Sequence, residues 1–226
     1  MSEIMVNISV WALPLLFAIT LHEAAHAWTA WKLGDNTAKM LGRVTFNPIS
    51  HIDPFGTVIL PLILLLSGSG FMFGYAKPVP VQFNRLNNPR RDSVLVALAG
   101  PGANIFLLVM SAIFLNFIEY VPGIANEWVG QNLVNMIIIN AILAVFNMLP
   151  IPPLDGGRVA VGVLPYPLSR PLARLEPYGM LIIIMALFII PVGGRYLGLN
   201  INIFQYIVMP PVQIMLEWAQ GLANLF

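Results

Sequence analysis

Long apolar runs without a charged side chain make up most of the chain. They cover residues 4–21, 54–76, 93–118, 128–154, 177–194 and 196–216. Because a helix needs about 20 apolar residues to cross the hydrocarbon core of a bilayer, each run is a candidate transmembrane helix. No basic region precedes the first run, so we expect a retained helix rather than a cleaved signal peptide. We therefore predict an all-α polytopic membrane protein with five to six transmembrane helices, forming one domain over residues 1–226.

The second run, residues 54–76, differs from the others because small and rigid residues interrupt it. These residues are Gly56, Pro61, Gly68, Gly70 and Gly74. Its densely apolar part, residues 58–66, is too short to span a bilayer. Irregular backbone at membrane depth is tolerated where protein or a water-filled cavity covers it. We therefore predict that this run is a re-entrant segment.

Composition supports the membrane prediction. Hydrophobic residues make up 58% of the chain and charged residues 9%, and the mean hydropathy is +0.80, whereas soluble proteins contain roughly 25% charged residues. The formal net charge of +1 excludes the broad basic surface that nucleic-acid binding requires. Cysteine is absent, which excludes disulfides, thiolate metal sites and cysteine nucleophiles.

The distribution of lysine and arginine predicts the orientation in the membrane. One cluster follows the first run, a second precedes the third run, and a third follows the fourth run. These clusters contain Lys32, Lys39 and Arg43; Lys77, Arg85, Arg90 and Arg91; and Arg158, Arg170 and Arg174. If the second run does not cross, all of them lie on one side, which the positive-inside rule makes cytoplasmic. We therefore prefer five spans plus a re-entrant segment, in the plasma or inner membrane, with the N-terminus outside.

Three ionisable residues interrupt the first predicted helix, in the pattern His22-Glu23-Ala24-Ala25-His26. Ionisable residues at membrane depth are costly and therefore indicate function. Positions i and i+4 lie on one face of a helix, so the two imidazoles can bind one metal ion while Glu23 reaches an attacking water. We expect one zinc ion per chain, with Glu23 as the catalytic residue. The alternative, that these are packing residues, would place three polar groups in lipid without a purpose.

Asp155 is the preferred third metal ligand. The prolines and glycines around it end the fourth helix and let its carboxylate turn inward, toward the same cytoplasmic end at which His22 and His26 lie. Two alternatives for Asp155 stay open, a role in an Asp-Gly turn and a salt bridge to Arg158. His51 is a rival ligand, although a histidine in a loop is most often simply solvated.

Five segments of the chain form a familiar series. In order along residues 22–26, 47–54, 74–81, 99–104 and 147–157 they read HEAAH, NPISHIDP, GYAKPVPV, AGPGAN and NMLPIPPLDGG. In these segments the sequence resembles the site-2 proteases, intramembrane zinc metalloproteases that cleave transmembrane helices. The resemblance is to the compact subgroup without PDZ or CBS domains, and it implies that the substrates are transmembrane proteins. The short distance along the helix from His22 and His26 to Lys32 separately predicts an active site near the cytoplasmic face.

The resemblance also implies roles for individual residues. His22, His26 and Asp155 would be the zinc ligands, and Glu23 would be the general base. Other positions, Asn104, Asn147 and Pro150, would be polar or substrate-facing. For Asn104 we consider a donor to the oxyanion of the reaction, and the alternative is an amide that links helices.

The segment of residues 77–81 predicts a short β element near the active site. Pro78 and Pro80 lack N–H groups on the same edge, so an edge strand there would pair on its other side. A substrate could add to it as a strand, with Lys77 and Val79 among the contacts. The alternative is a polyproline-type loop.

Two other functions remain open at this point. Buried histidine and aspartate also line ion paths in membrane transporters. A metal-binding pseudoprotease that only binds partners is the third candidate, although an intact H-E-x-x-H pattern argues against it.

Overall fold

The computed structural model describes residues 3–59, 63, 76–199 and 201–223. The α-helices in these residues are α1 (Glu3–Lys32), α2 (Thr37–Met40), α3 (Pro89–Leu115), α4 (Gly123–Asn147), α5 (Asp155–Val163), α6 (Tyr166–Ala173), α7 (Gly179–Ile184), α8 (Ile190–Tyr196) and α9 (Met209–Ala223). Short 3₁₀ turns lie at Pro48–His51, Phe83–Arg85, Ile118–Tyr120 and Glu176–Tyr178, and π-helical turns at Pro54–Ile59, Met185–Ile189 and Phe204–Val208.

Four helical stretches in the described residues are long and apolar enough to cross a membrane. They are Met5–Lys32, Pro89–Leu115, Gly123–Asn147 and Tyr166–Tyr196, and they match the first, third, fourth and fifth apolar runs of the sequence. Large apolar side chains such as Ile8, Phe106 and Leu181 are exposed on their outer faces, as expected for helices that face lipid. The prediction of an all-α membrane protein is therefore confirmed.

The second and sixth runs stand apart from these four stretches. Most of the predicted re-entrant segment, residues 60–62 and 64–75, lies outside the described residues. The sixth run is helical over Phe204–Val208 and Met209–Ala223 but is not among the four. A count of five or six spans therefore stays a prediction.

The central bundle consists of α1, α3 and α4, which pack against one another, while α9 packs across α3 and α4. The core between α3, α4 and α9 contains Leu108, Ala112, Ile137, Ala141 and Val212. Its alanines let the helix backbones approach closely, as is typical of helices that associate inside membranes.

Polar side chains also join the helices at membrane depth. Nδ2 of Asn135 on α4 donates a hydrogen bond to the carbonyl of Val10 on α1 (2.7 Å). The indole N–H of Trp128 donates to Oγ of Ser9 (2.9 Å). These bonds satisfy polar groups between the two helices, so they fix how α4 lies against α1.

The segments before and after the second run lie next to each other. The backbone N–H of Lys77 donates to the carbonyl of His51 (2.9 Å). A guanidinium N–H of Arg43 donates to the carbonyl of Lys77 (2.7 Å), and the N–H of Asn87 donates to the carbonyl of Leu33 (2.8 Å). The segment that follows α1 and the segment that precedes α3 therefore lie side by side.

The predicted β element at residues 77–81 is wrong for the described part of the chain, which contains no strand. The N–H groups of Lys77 and Val79 bond to the carbonyl of His51 and to the carboxylate of Glu23. Because neither partner is a neighbouring strand, no β ladder forms there. The segment is an irregular loop, which was the alternative in the sequence analysis.

Candidate active site

The C-terminal third of α1 brings two histidines onto one face. His22 and His26 are one helical turn apart, and their Nε2 atoms lie 3.0 Å from each other. The rings stand nearly perpendicular, with centroids 4.6 Å apart. The exposed fractions are only 7% for His22 and 9% for His26, so both imidazoles point into the bundle rather than to lipid or water.

Asp155 joins these histidines from the first turn of α5. The chain leaves α4 at Asn147, passes through a proline-rich turn and starts α5 at Asp155. Oδ2 of Asp155 lies 3.3 Å from Nε2 of His22 and 3.4 Å from Nε2 of His26. One potential ligand atom from each of the three residues therefore lies within 4.8 Å of the other two. In the described residues, these three side chains form the group that could hold a metal ion.

The alternatives for Asp155 do not match this geometry. Arg158 pairs with Glu176 instead, with NH2 to Oε1 at 3.5 Å. The close approach of α5 depends on Gly156, because a Cβ there would collide with the carbonyl of Met148. The Asp-Gly pair thus serves close packing, while the carboxylate faces the histidines.

The hydrogen-bond partners of the two Nδ1 atoms indicate which ring nitrogen of each histidine is protonated. Nδ1 of His26 lies 2.7 Å from the carbonyl of Val96, and Nδ1 of His22 lies 2.6 Å from Oδ1 of Asn104. Both partners are acceptors, so each Nδ1 carries a proton, and in the neutral imidazole each Nε2 then presents a lone pair. The two lone pairs face Oδ2 of Asp155, which is buried and has no hydrogen-bond partner in the described residues.

Three atoms that can each offer a lone pair and that converge in this way fit a cation. Two imidazole nitrogens and one carboxylate oxygen are a donor set that zinc uses in catalytic sites. Gly100 on α3 leaves space for the two imidazoles, because a Cβ there would collide with Nε2 of both histidines. The residues present therefore fit a zinc ion.

Glu23 lies beside this cluster and faces a different element. It is half-buried, and its Oε2 accepts a hydrogen bond from the backbone N–H of Val79 (2.8 Å). The carboxylate is therefore not a member of the three-residue group. It is held next to the group by the loop that precedes α3.

A network that sequence reasoning missed holds this loop in place. Asp35, fully buried after the end of α1, accepts the N–H of Gln82 at Oδ2 (2.7 Å). Its Oδ1 accepts the N–H (3.0 Å) and the hydroxyl of Thr37. Arg43, 8% exposed, binds the carbonyl of Lys77. The loop is thus anchored on both sides of Val79.

The charge of Asp35 is stabilised by its partners. Burial raises the pKa of Asp35, but the hydroxyl of Thr37 and the N–H groups of Gln82 and Thr37 outweigh that effect. The positive charge of Arg85 acts in the same direction. The pKa of Asp35 is therefore below its ordinary value, and the carboxylate is ionised at neutral pH.

The other predicted site residues occupy different places. Asn104 is fully buried, and its amide bonds to Asn140 and Ala18, which is the helix-linking arrangement that the sequence left open. Asn147 ends α4 with Nδ2 bonded to the carbonyl of Leu143 (3.0 Å), and Pro150 is exposed in the following turn. Substrate contact by any of them stays a prediction.

The remaining predicted site residues are Lys77, Val79 and the rival ligand His51. Lys77 is exposed and Val79 is buried. His51 is buried, with Nε2 bonded to the carbonyl of Thr45 (3.0 Å), and it lies outside the group formed by His22, His26 and Asp155. It contributes through its carbonyl, which fixes Lys77.

Comparison with known proteins gives a consistent result. The family described as "Peptidase family M50" matches residues 123–191. The chain is 37% identical over 193 residues to the "Putative zinc metalloprotease YwhC" of Bacillus subtilis, covering 83% of this chain and 84% of that protein. It is 35% identical over 182 residues to the "Putative zinc metalloprotease Rip2" of Mycolicibacterium smegmatis, covering 80% of this chain and 67% of that protein. No solved structure matches the chain.

The Asp35 network makes a testable contribution to stability. In Asp35→Asn an amide nitrogen replaces one acceptor oxygen and leaves a buried donor unpaired, so we expect a loss of about 1–3 kcal/mol of unfolding free energy at pH 7.5. A carboxylate with a lowered pKa stabilises the fold above the unfolded pKa, about 3.9, and this contribution is lost as the pH falls.

Thermal unfolding in detergent at pH 7.5 and at successively lower pH measures this difference. The gap between wild type and Asp35→Asn should shrink as the solution becomes acidic, while Glu119→Gln, an exposed carboxylate, should match wild type throughout. A gap that does not depend on pH would contradict the assignment.

Proposed function

The chain belongs to peptidase family M50 as a zinc metalloprotease of the site-2 protease type, and from this premise we propose that it hydrolyses peptide bonds in or next to the transmembrane segments of other membrane proteins. The observation that carries the proposal is the position of the His22, His26 and Asp155 group. It is buried among helices that are long and apolar enough to cross a membrane, and this location supports a substrate that is itself embedded in the membrane.

We propose that these three residues bind one zinc ion per chain. The facing lone pairs of the imidazoles and the unpartnered Oδ2 of Asp155 support this assignment. When bound there, zinc supplies a Lewis acid that polarises the scissile carbonyl and makes a water molecule acidic. The protein contributes the fixed tautomers, the buried surroundings and the space beside Gly100.

Glu23 is proposed as the general base. Its carboxylate takes the proton of the attacking water and passes it to the leaving amine, a role that requires hydrogen-bonding reach to both. The N–H of Val79 binds Oε2 and orients the carboxylate. Because Asp35 and Arg43 anchor the loop that carries Val79, the position of the base depends on residues outside the metal group.

Substrate contacts are proposed around the loop of residues 77–82 and the turn after α4. Lys77 and Val79 lie on the loop that reaches Glu23. Asn147 is the last residue of α4, and Pro150 lies on the turn that leads to Asp155. We propose that a peptide that reaches Glu23 and the metal group contacts both elements. Asn104 is the weakest candidate, because its amide is already used by protein partners.

We also propose that residues 54–76 re-enter the membrane and return to the side from which they came, the cytoplasmic side of the plasma or inner membrane. The hydrogen bond from Lys77 to the carbonyl of His51 supports this return. Trp31, under the ammonium groups of Lys39 (3.9 Å to the ring centroid) and Lys32 (4.8 Å), is typical of a helix end at the membrane interface. The active site then lies near the cytoplasmic face.

Replacement of the base tests the catalytic proposal. Glu23→Gln removes the proton acceptor but none of the three proposed ligands, so we expect hydrolysis to fall by a factor of about 100 to 10,000 while zinc content stays at the wild-type level. The measurement compares fragments of membrane proteins, by mass spectrometry of their new termini, in cells that express wild type, Glu23→Gln or the exposed control Glu127→Gln.

Equal fragment patterns in the wild type and Glu23→Gln would contradict the role of Glu23. If the control loses fragments as well, the effect is on the fold rather than on the chemistry. A pattern of no fragments in wild type, together with ion flux in vesicles, would favour a transporter, and neither fragments nor flux would favour a partner-binding pseudoprotease.

The proposed orientation can be tested with single cysteines, because the chain contains none. Tyr120, 84% exposed between α3 and α4, should lie outside, and the exposed Asn84 should lie in the cytoplasm. A membrane-impermeant maleimide should label Tyr120→Cys on intact cells, and Asn84→Cys after permeabilisation alone. Labelling of Asn84→Cys on intact cells would place residues 78–90 outside and overturn the re-entrant proposal.

A further inference from the structure

We infer that Asn140 on α4 is a positioning residue for the zinc site and that, acting through Asn104, it determines which nitrogen of His22 carries the proton. The inference rests on the proposed role of His22 as a zinc ligand. Its basis is an unbroken series of hydrogen bonds that starts at a backbone carbonyl of α4, crosses α3 and ends at the imidazole on α1.

The carbonyl of Met136 gives this series its direction. A carbonyl oxygen only accepts hydrogen bonds, so Asn140 turns its amide nitrogen, Nδ2, to Met136 at 2.7 Å. The side-chain oxygen of Asn140 then points to Asn104. Asn140 is consequently an acceptor on that side and cannot donate there.

Asn104 is oriented by two acceptors. Its Nδ2 donates to Oδ1 of Asn140 (2.8 Å) and to the carbonyl of Ala18 (3.3 Å). A flip of the amide would put its oxygen against both of these oxygens. Oδ1 of Asn104 therefore faces Nδ1 of His22, at 2.6 Å.

The result is a defined tautomer of His22. Because Oδ1 of Asn104 only accepts, Nδ1 of His22 holds the proton and Nε2 presents its lone pair to Asp155. His26 reaches the same state directly, since its Nδ1 faces the backbone carbonyl of Val96. Of the two histidines, His22 is the one whose tautomer depends on side chains, and the dependence extends to Asn140.

Both asparagines of this series are buried, so water cannot replace a hydrogen bond that either of them loses. Asn104 and Asn140 are both 0% exposed, and a buried polar group without a partner is costly. Asn135 provides a matched comparison, because it is also a buried asparagine of α4 that bonds to α1, through the carbonyl of Val10. It takes no part in the series that leads to His22.

Zinc affinity of the full-length protein in detergent, measured by competition with a chelator, tests the inference. Asn140→Leu leaves Asn104 with the longer bond to Ala18 alone, so the zinc dissociation constant should rise about tenfold. Asn135→Leu should leave it unchanged. Asn140→Asp should retain wild-type affinity, because a neutral carboxylic acid, the form that burial favours, can donate to Met136 and accept from Asn104.

The tautomer itself is read by ¹⁵N NMR of histidine-labelled, metal-free protein. The chain holds 3 histidines, so single substitutions assign their signals. We expect His22 to be protonated at Nδ1 in wild type, Asn135→Leu and Asn140→Asp, and to shift in part to Nε2 protonation in Asn140→Leu. A residue that merely packs helices would not move this signal.

Unchanged affinity and tautomer in Asn140→Leu, or equal losses in Asn140→Leu and Asn135→Leu, would overturn the inference. Should Asn140→Leu fail to fold, Asn140→Asp decides, since Nε2 protonation of His22 in that variant contradicts the relay. An absence of zinc binding in wild type would be a different result, because it contradicts the proposed function instead.

Discussion

Three acceptor atoms held together inside a membrane protein are the constraint on which the structure depends. Nε2 of His22, Nε2 of His26 and Oδ2 of Asp155 converge at a buried position among the helices. Such an arrangement is unfavourable unless a cation compensates it, because lone pairs repel and a desolvated carboxylate is costly. The surrounding helices make sense as the frame that enforces this convergence: α1 supplies the imidazoles, α3 brings its backbone close at Gly100, and α5 delivers the carboxylate.

A second layer of polar contacts turns this frame into an active site. Asn104 and the carbonyl of Val96 hold the imidazoles from behind, and the loop of residues 77–82 holds Glu23 from the opposite side. That loop is in turn fixed by a buried carboxylate, Asp35. The group of His22, His26 and Asp155 and the carboxylate of Glu23 are therefore held by different sets of contacts.

Much of the site could be predicted from the sequence because its signals are local. The i, i+4 spacing of His22 and His26 places them on one helix face, and a proline-rich stretch before Asp155 ends α4 where an aspartate can turn inward. The helices could also be predicted from the sequence, since some 20 apolar residues without a charge indicate a transmembrane span. In the described residues the structure bears out four of these helices and brings the three side chains together.

Other features could not be read from the sequence because they depend on contacts between distant segments. The β element at residues 77–81 was expected from the spacing of Pro78 and Pro80, but the N–H of Val79 goes to Glu23, 56 positions away. Asn140 and Asp35 gave no signal, because a single asparagine in an apolar helix or an aspartate in a short loop has no pattern. Their roles appear only when the hydrogen-bond partners are known.

The central claim, that His22, His26 and Asp155 hold zinc, is tested most directly by the metal content of protein purified without chelator. We expect about one zinc per chain in wild type and in His51→Ala, whose imidazole lies outside the group. The metal should be lost in Asp155→Ala, which keeps two of the three protein ligands that a catalytic zinc site needs. Zinc absent from wild type, or retained in Asp155→Ala and lost in His51→Ala, would contradict it.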